Sequence, residues 1–276
     1  MNAQVNEHSF YQRIIKILAD DSMQGRPVSS VYEDSACNFI CRELSEIFNK
    51  KVTIQHFQYH YNGKTKHSKN VYYYVDNQVD STILIGAHYD HIGLGEERSR
   101  SYGKKGIHNG ADDNASGVAM MLGLAKTFDK WASKSFNYIF VAYSAHEIGL
   151  FGSENFYSYY QKKYPKLKLV LNFDMLGRFH EQARILNIYG VKTLEIRLKN
   201  ALNDITFDGK IYNHESEKIF LTDAHVFANQ DIQSISFTTG IHEDYHKITD
   251  DEEFINYSGL LTIQSFIEKF LFQVCH

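Results

Sequence analysis

FNYIFVAYSAHEIGLFGS, residues 136–153, sets the frame for everything else in the chain. Its first ten residues form an almost unbroken apolar run. Such a run reads as a strand covered on both faces, as in a parallel sheet packed between helices. The run ends in His146 and Glu147 and is followed by glycines and a further helical stretch. A carboxylate at the mouth of a buried strand is costly unless it is paired or binds a cation.

Two more stretches repeat the pattern. STILIGAHYD (81–90) ends on His88 and Asp90, and LKLVLNFDML (167–176) carries Asp174 near its end. VTIQHFQY (52–59), NVYYYVD (70–76), ILNIYG (185–190) and SISFTTG (234–240) are further strands, rich in β-branched and aromatic residues. Between them, helical spacing predicts helices over 10–20, 32–50, 115–131, 152–164 and 256–274. This alternation predicts an α/β three-layer sandwich. A mixed, mostly parallel central sheet is flanked by helices in one domain spanning 1–276. Sites in such folds gather at the carboxyl ends of the strands.

Composition bounds the function. The chain has 276 residues, 43% hydrophobic and 14% aromatic, with a formal charge of −4. It carries no basic footprint for nucleic acid, and no apolar run approaches the roughly 20 residues of a membrane span. Cys37, Cys41 and Cys275 set no disulfide framework and read as buried small hydrophobes, with a bridge to Cys275 left open. The opening MNAQVNEHSF shows neither a basic nor an apolar signal region. That fits a cytoplasmic protein, or one whose signal peptide was removed.

The polar residues cluster where the strands end. His88 is followed two residues later by Asp90, and a metal-bound His commonly gives its second ring nitrogen to a carboxylate. In HNGADDNASG, Asp112 and Asp113 stand before a helix. They read either as helix caps or as one bridging carboxylate and one supporting the loop. Glu147 and Asp174 follow strands, and GIHEDYH places His242 and His246 four residues apart. Oxygen and imidazole donors without thiolates suit a catalytic zinc site. Five such ligands with one shared carboxylate make a two-metal centre, which activates a water and polarises a carbonyl together. His91, His108 and the indole of Trp131 are read as rim or packing residues, and His214 as part of a solvated loop.

SMQGRPVSS, ILIGAHYDHIG, NGADDNASGVA, EIGLFGSENF, NFDMLGR and TTGIHEDYH, spanning about residues 20 to 260, resemble the dizinc aminopeptidases of metallopeptidase family twenty-eight. Relatives of that family include glutamate carboxypeptidases and glutaminyl cyclases. The resemblance implies two zinc ions per chain, held by His88, Asp112, Glu147, Asp174 and His246, with Asp112 as the bridge. It implies Asp90 as the outer partner of His88, a cis peptide at Asp112–Asp113, a peptide substrate, and secretion or the periplasm as location.

One position departs. In active relatives the residue before the Glu ligand is another Glu, the general base; here it is His146. An unperturbed imidazole titrates near pH 6.5 and can itself serve as the base. Alternatively the chain binds zinc and turns over slowly, or another side chain such as His242 or Tyr245 is the base. TDAHVFANQD (222–231) also departs, with Ala224 where relatives often have His. The expected activity is removal of N-terminal residues from peptides. A zinc-binding homologue with impaired catalysis and a glutaminyl cyclase are the alternatives.

Overall fold

The computed structural model describes residues 2–179, 185–190, 193–203, 208–212 and 221–276. His214 lies outside them. Eight strands form one sheet in the order β1-β2-β4-β3-β5-β8-β6-β7. They are β1 (Thr53–Tyr61), β2 (Lys64–Val75), β3 (Ser81–His88), β4 (Asn137–Tyr143), β5 (Lys166–Phe173), β6 (Ile185–Tyr189), β7 (Asp208–Tyr212) and β8 (Ser234–Thr238). β4, β3, β5 and β8 lie side by side and all parallel. Their carboxyl ends therefore share one edge. β1 and β2 make an antiparallel hairpin on one flank, and β6 joins β8 antiparallel on the other.

β4 is buried at every residue, as its apolar run predicts. Successive strand residues face opposite sides, and the two cores follow that alternation. Ile83, Ile85, Tyr138, Phe140, Leu169 and Leu171 face one side. They meet α1 (Asn2–Leu18), α2 (Val31–Phe48), α3 (Gly117–Lys126) and α8 (Tyr257–Cys275) there. Leu84, Ile139, Val141 and Val170 face the other side. They meet α5 (Phe151–Tyr160) and α7 (Asp223–Ala228). The three expected layers are present.

Two local differences from the sequence reading have simple causes. The helix expected over 115–131 breaks at Thr127 into α3 and the short α4 (Phe128–Trp131). The Thr127 hydroxyl bonds back to the Gly123 carbonyl at 3.2 Å, a bond that competes with the helical ladder. The strand β7, α6 (Glu195–Leu202) and α7 carry too little periodic signal to be read in advance. All three cysteines are free, so the open question of a bridge to Cys275 is answered against it. Trp131 packs in the core and donates its indole N–H to the Leu124 carbonyl at 3.2 Å. No described helix is long and apolar enough to cross a membrane.

One cation fastens the strand-end loops together. Arg26 is fully buried. Its guanidinium donates to the carbonyls of Tyr89 at 2.8 Å, Asn109 at 2.7 Å, Gly110 at 2.9 Å and Leu18. It thus ties the end of α1 to the turn after β3 and to the loop before α3. Burial pushes its pKa down to about 10, against the pull of Asp113, Asp90, Asp250 and Glu147, so it stays charged near neutrality. Gly110 sits at φ 59, and a Cβ there would lie 2.2 Å from the Asp113 carbonyl oxygen and 2.6 Å from the His91 ring.

Arg26→Met leaves four buried carbonyls without their donor. At about 1 kcal/mol or more for each, urea unfolding is expected to show a loss of roughly 3–5 kcal/mol. A loss below about 1 kcal/mol would contradict the fastening role.

Candidate metal centre

The shared edge of β3, β4, β5 and β8 brings the polar strand ends together. His88 closes β3, His146 and Glu147 follow β4, Asp174 follows β5, and His246 lies in the loop after β8. The turn 111–116, leading into α3, inserts Asp113 among them. His88 Nε2 is 3.5 Å from Asp113 Oδ1 and 3.7 Å from Asp174 Oδ1. His246 Nε2 is 3.3 Å from Asp113 Oδ2 and 3.2 Å from Glu147 Oε2. Asp113 therefore offers one oxygen to each of two groups.

The spacing fits cations better than direct bonding. Zinc bonds of about 2.0–2.1 Å in a tetrahedron put neighbouring ligand atoms about 3.3–3.4 Å apart. His88 Nε2, His246 Nε2 and Asp174 Oδ2 are buried and make no hydrogen bond among the described residues. Buried polar atoms are normally satisfied, so convergent exceptions point to an ion. The carboxylates around them favour the charged form of both imidazoles. Burial and His146 work to lower the pKa of His88, but Asp174 and Asp113 raise it to about 9. Burial likewise opposes charge on His246, but Asp113 and Glu147 raise it to about 10.

This geometry corrects the assignment within the Asp pair. Asp112 does not face the cluster. Its Oδ1 accepts from the Ser116 hydroxyl at 2.8 Å and the Gly177 N–H at 2.5 Å, and its Oδ2 lies 3.2 Å from His242 Nε2. The backbone at Asp113 is non-helical (φ −104, ψ 88), so the two neighbouring side chains point to different sides. Asp113, not Asp112, faces both His88 and His246, and Asp112 supports the turn. The cis peptide also sits one residue later than expected, at Asp113–Asn114. Asp250, fully buried, accepts from the N–H groups of Asp112 at 3.1 Å and Asp113 at 3.0 Å, and so holds the turn.

Asp90 supports the site through the backbone as well. Its carbonyl oxygen lies 3.2 Å from His88 Nδ1, closer than its carboxylate at 3.8 Å. The carboxylate accepts the N–H groups of His146 at 3.1 Å and Glu147 at 3.2 Å. It thus links the ends of β3 and β4. His242 pairs with Asp112, away from the cluster. Tyr245 stacks on the His246 ring with centroids 4.0 Å apart, and the Arg100 guanidinium lies 4.6 Å from the Tyr245 ring centre.

His146 lies inside the site. Its ring stacks on His88 with centroids 3.7 Å apart and planes 4° from parallel. Its Nδ1 is 3.0 Å from Asp223 Oδ2, and Asp223 is fully buried at the start of α7. The Nδ1–H bond to Asp223 fixes the orientation of the ring. Burial works to lower the pKa of His146, but Asp223 outweighs it and raises it well above the usual imidazole range.

Two histidines read as rim residues are core residues instead. His91 is buried, and its Nδ1 bonds to Glu147 Oε1 at 2.9 Å and lies 3.8 Å from Asp113 Oδ2. His91, Asp113 and Glu147 form one group of potential ligands, and His88, His146 and Asp174 another, each with donor atoms within 4.8 Å. His108 is buried with Nε2 2.8 Å from Ser99 Oγ. The signal for His91 was its place three residues after His88 in one tight turn. Asp223 and Asp250 sit in polar stretches that give no such signal.

Known proteins resemble this chain in sequence and in fold. A leucine aminopeptidase 1 from Metarhizium robertsii is 35% identical over 134 residues, which is 47% of this chain and 31% of that protein. The chain thus spans less than a third of that relative's length. Among solved structures, a zinc aminopeptidase from Bacillus subtilis superposes with a TM-score of 0.78 at 14% identity, covering 97% of this chain and 95% of that one. A glutaminyl cyclase from Bacteroides thetaiotaomicron gives 0.76 at 18% identity, covering 96% and 97%. At such identities the likeness concerns the fold. The family model for peptidase family M28 matches residues 70–271, a span that takes in every residue of the cluster, and the chain belongs to that family.

Proposed function

We propose that the chain is a zinc-dependent exopeptidase that removes N-terminal residues from peptides through a two-metal site, with His146 as the general base. The observation that carries this reading is the convergence of unpartnered donors around Asp113. His88, Asp113 and Asp174 would hold one ion, and Asp113, Glu147 and His246 the other. When bound, zinc supplies a Lewis acid that polarises the scissile carbonyl and acidifies the attacking water. The buried carboxylates attract the substrate's free ammonium, which suits an exopeptidase.

The protein's own part in the chemistry lies in the His146–Asp223 pair. Asp223 accepts the Nδ1 proton and fixes the ring's orientation. Asp223 by itself favours the imidazolium. Cations held by the neighbouring carboxylates would oppose that charge, and Nε2, once deprotonated, would take a proton from the attacking water and deliver it to the leaving amine. An imidazole carries one negative charge less than the Glu of active relatives, so it stabilises the departing ammonium less. Asp223 restores a negative charge one ring away.

A second reading rests on the ring stack. His146 places a nitrogen within reach of His88 and Asp174. If that nitrogen fills a coordination position, the chain binds zinc and hydrolyses slowly. The structural likeness to a glutaminyl cyclase adds a cyclisation assay as control.

Asp113→Asn is expected to cut the zinc content from about two per chain to one or none, while Asp112→Asn keeps it. Elemental analysis after dialysis decides this, and equal losses would contradict the bridging role. Because His88 and His246 must shed protons when zinc binds, zinc affinity is expected to fall as pH drops from 9 to 6. A flat profile by competition with a chelator would oppose this.

A panel of amino-acyl p-nitroanilides tests the base. His146→Ala is expected to lose about 10²–10⁴-fold in kcat with zinc content unchanged. Asp223→Asn removes the charge that favours the imidazolium, so the His146 pKa drops and the acid limb of the pH profile moves to lower pH. If His146→Ala instead loses zinc, or His146→Glu gains turnover over an inert wild type, the second reading replaces the first. Pyroglutamate release from a Gln-initiated peptide would establish the cyclase.

A further inference from the structure

A cavity of about 430 Å³ opens beside the cluster, with His91 and Glu147 on its inner wall. Its outer wall comes from the β1–β2 hairpin and the loop after β3, which contribute Tyr61, Lys66 and Arg98. Arg98 Nη2 donates to the Tyr61 hydroxyl at 3.1 Å, and Lys66 Nζ lies 5.5 Å above the Tyr61 ring. The phenol thus holds both cations at one wall. Among the described residues neither has a carboxylate within the 4.0 Å of an ion pair. Glu97 shares the cavity but pairs with neither of them. Arg98 is also anchored to the site, because its carbonyl oxygen lies 3.2 Å from His246 Nδ1.

The carboxylates that the cavity shares with the cluster are engaged there: Asp90 accepts the N–H groups of His146 and Glu147, and Glu147 bonds to His91. Lys66 and Arg98 share the cavity with Glu97 and pair with no carboxylate among the described residues. A peptide's ammonium belongs with the carboxylates, and the cations repel it. The cavity is then left for the part of the peptide beyond the scissile bond. Its volume is near the lower end of the ~300–1,000 Å³ typical of small-ligand sites, which suits a short segment rather than a long chain. Guanidinium and ammonium groups held on a half-buried wall recognise a carboxylate by charge-assisted bonds.

We infer that this cavity is a carboxylate-binding subsite, formed by Lys66 and Arg98, that selects short peptides carrying an anionic group on the leaving side. The group is either the terminal α-carboxylate of a dipeptide or tripeptide, or an Asp or Glu side chain after the scissile bond. The inference rests on the peptidase reading for its orientation, but its binding component can be measured without turnover.

The test uses the zinc-loaded full chain at fixed salt. Values of kcat/KM are compared for Leu-Ala, Leu-Ala-amide and Leu-Asp-amide. Binding of a non-hydrolysable reduced-amide Leu-Ala and of its C-terminal amide is measured by calorimetry. A preference of about tenfold or more is expected for a carboxylate form over Leu-Ala-amide. Leu-Ala above its amide identifies the α-carboxylate, and Leu-Asp-amide above Leu-Ala-amide identifies the side chain. In Lys66→Gln/Arg98→Gln the ratio is expected to fall to about one, with Arg98→Lys retaining part of it. If the ratio is about one in the wild type, or survives the double substitution, the subsite is overturned while the peptidase reading stands. If the reduced peptides show the preference and its loss but nothing is hydrolysed, the subsite stands and the peptidase reading fails.

Discussion

The structure is organised around negative charge that has been taken out of water. Asp90, Asp112, Asp113, Asp174, Asp223 and Asp250 are all nearly or fully buried along one sheet edge, with Glu147 beside them. Each buried carboxylate costs several kcal/mol unless something compensates it. Backbone N–H groups compensate Asp90 and Asp250, and the Ser116 hydroxyl and Gly177 N–H compensate Asp112. Asp113, Glu147 and Asp174 have mainly imidazoles, and the Nε2 atoms of His88 and His246 make no hydrogen bond among the described residues. Divalent metal is the compensation that oxygen and imidazole donors of this kind suit.

The fold serves that requirement. Four adjacent parallel strands end together, so residues far apart in sequence converge without long loops. Arg26 then clamps the loops by their carbonyl oxygens, leaving their side chains free for the cluster. It also places a permanent positive charge behind the acids. Asp90 works the same way from the other direction, using its carboxylate on two backbone N–H groups to fix His146 and Glu147. The outer layer is thus held by main-chain bonds, which do not compete for a metal.

Much of this was legible in the sequence for a physical reason. Buried parallel strands are apolar on both faces, so a polar residue at the end of one stands out; His88, Glu147 and Asp174 were visible in that way. The choice between Asp112 and Asp113 was not, because it depends on the dihedral angles of a single turn. Resemblance placed the bridge one residue too early. His91 looked like a loop residue because its burial comes from Gly110 and the distant loop beyond it. Asp223 and Asp250 lie in polar stretches, where an acid ordinarily faces solvent. Their partners, His146 and the turn at 112–113, are remote in sequence.

The departure at position 146 now has a structural context. A histidine there without a carboxylate behind it would be a weak and poorly oriented base. With Asp223 at 3.0 Å it is a ring held in one orientation. The central claim remains the pair of cations bridged by Asp113, and diffraction from zinc-loaded crystals across the zinc absorption edge tests it most directly. The account predicts two anomalous peaks, with Asp113 between them. A single peak, or a pair bridged by Asp112, would contradict it.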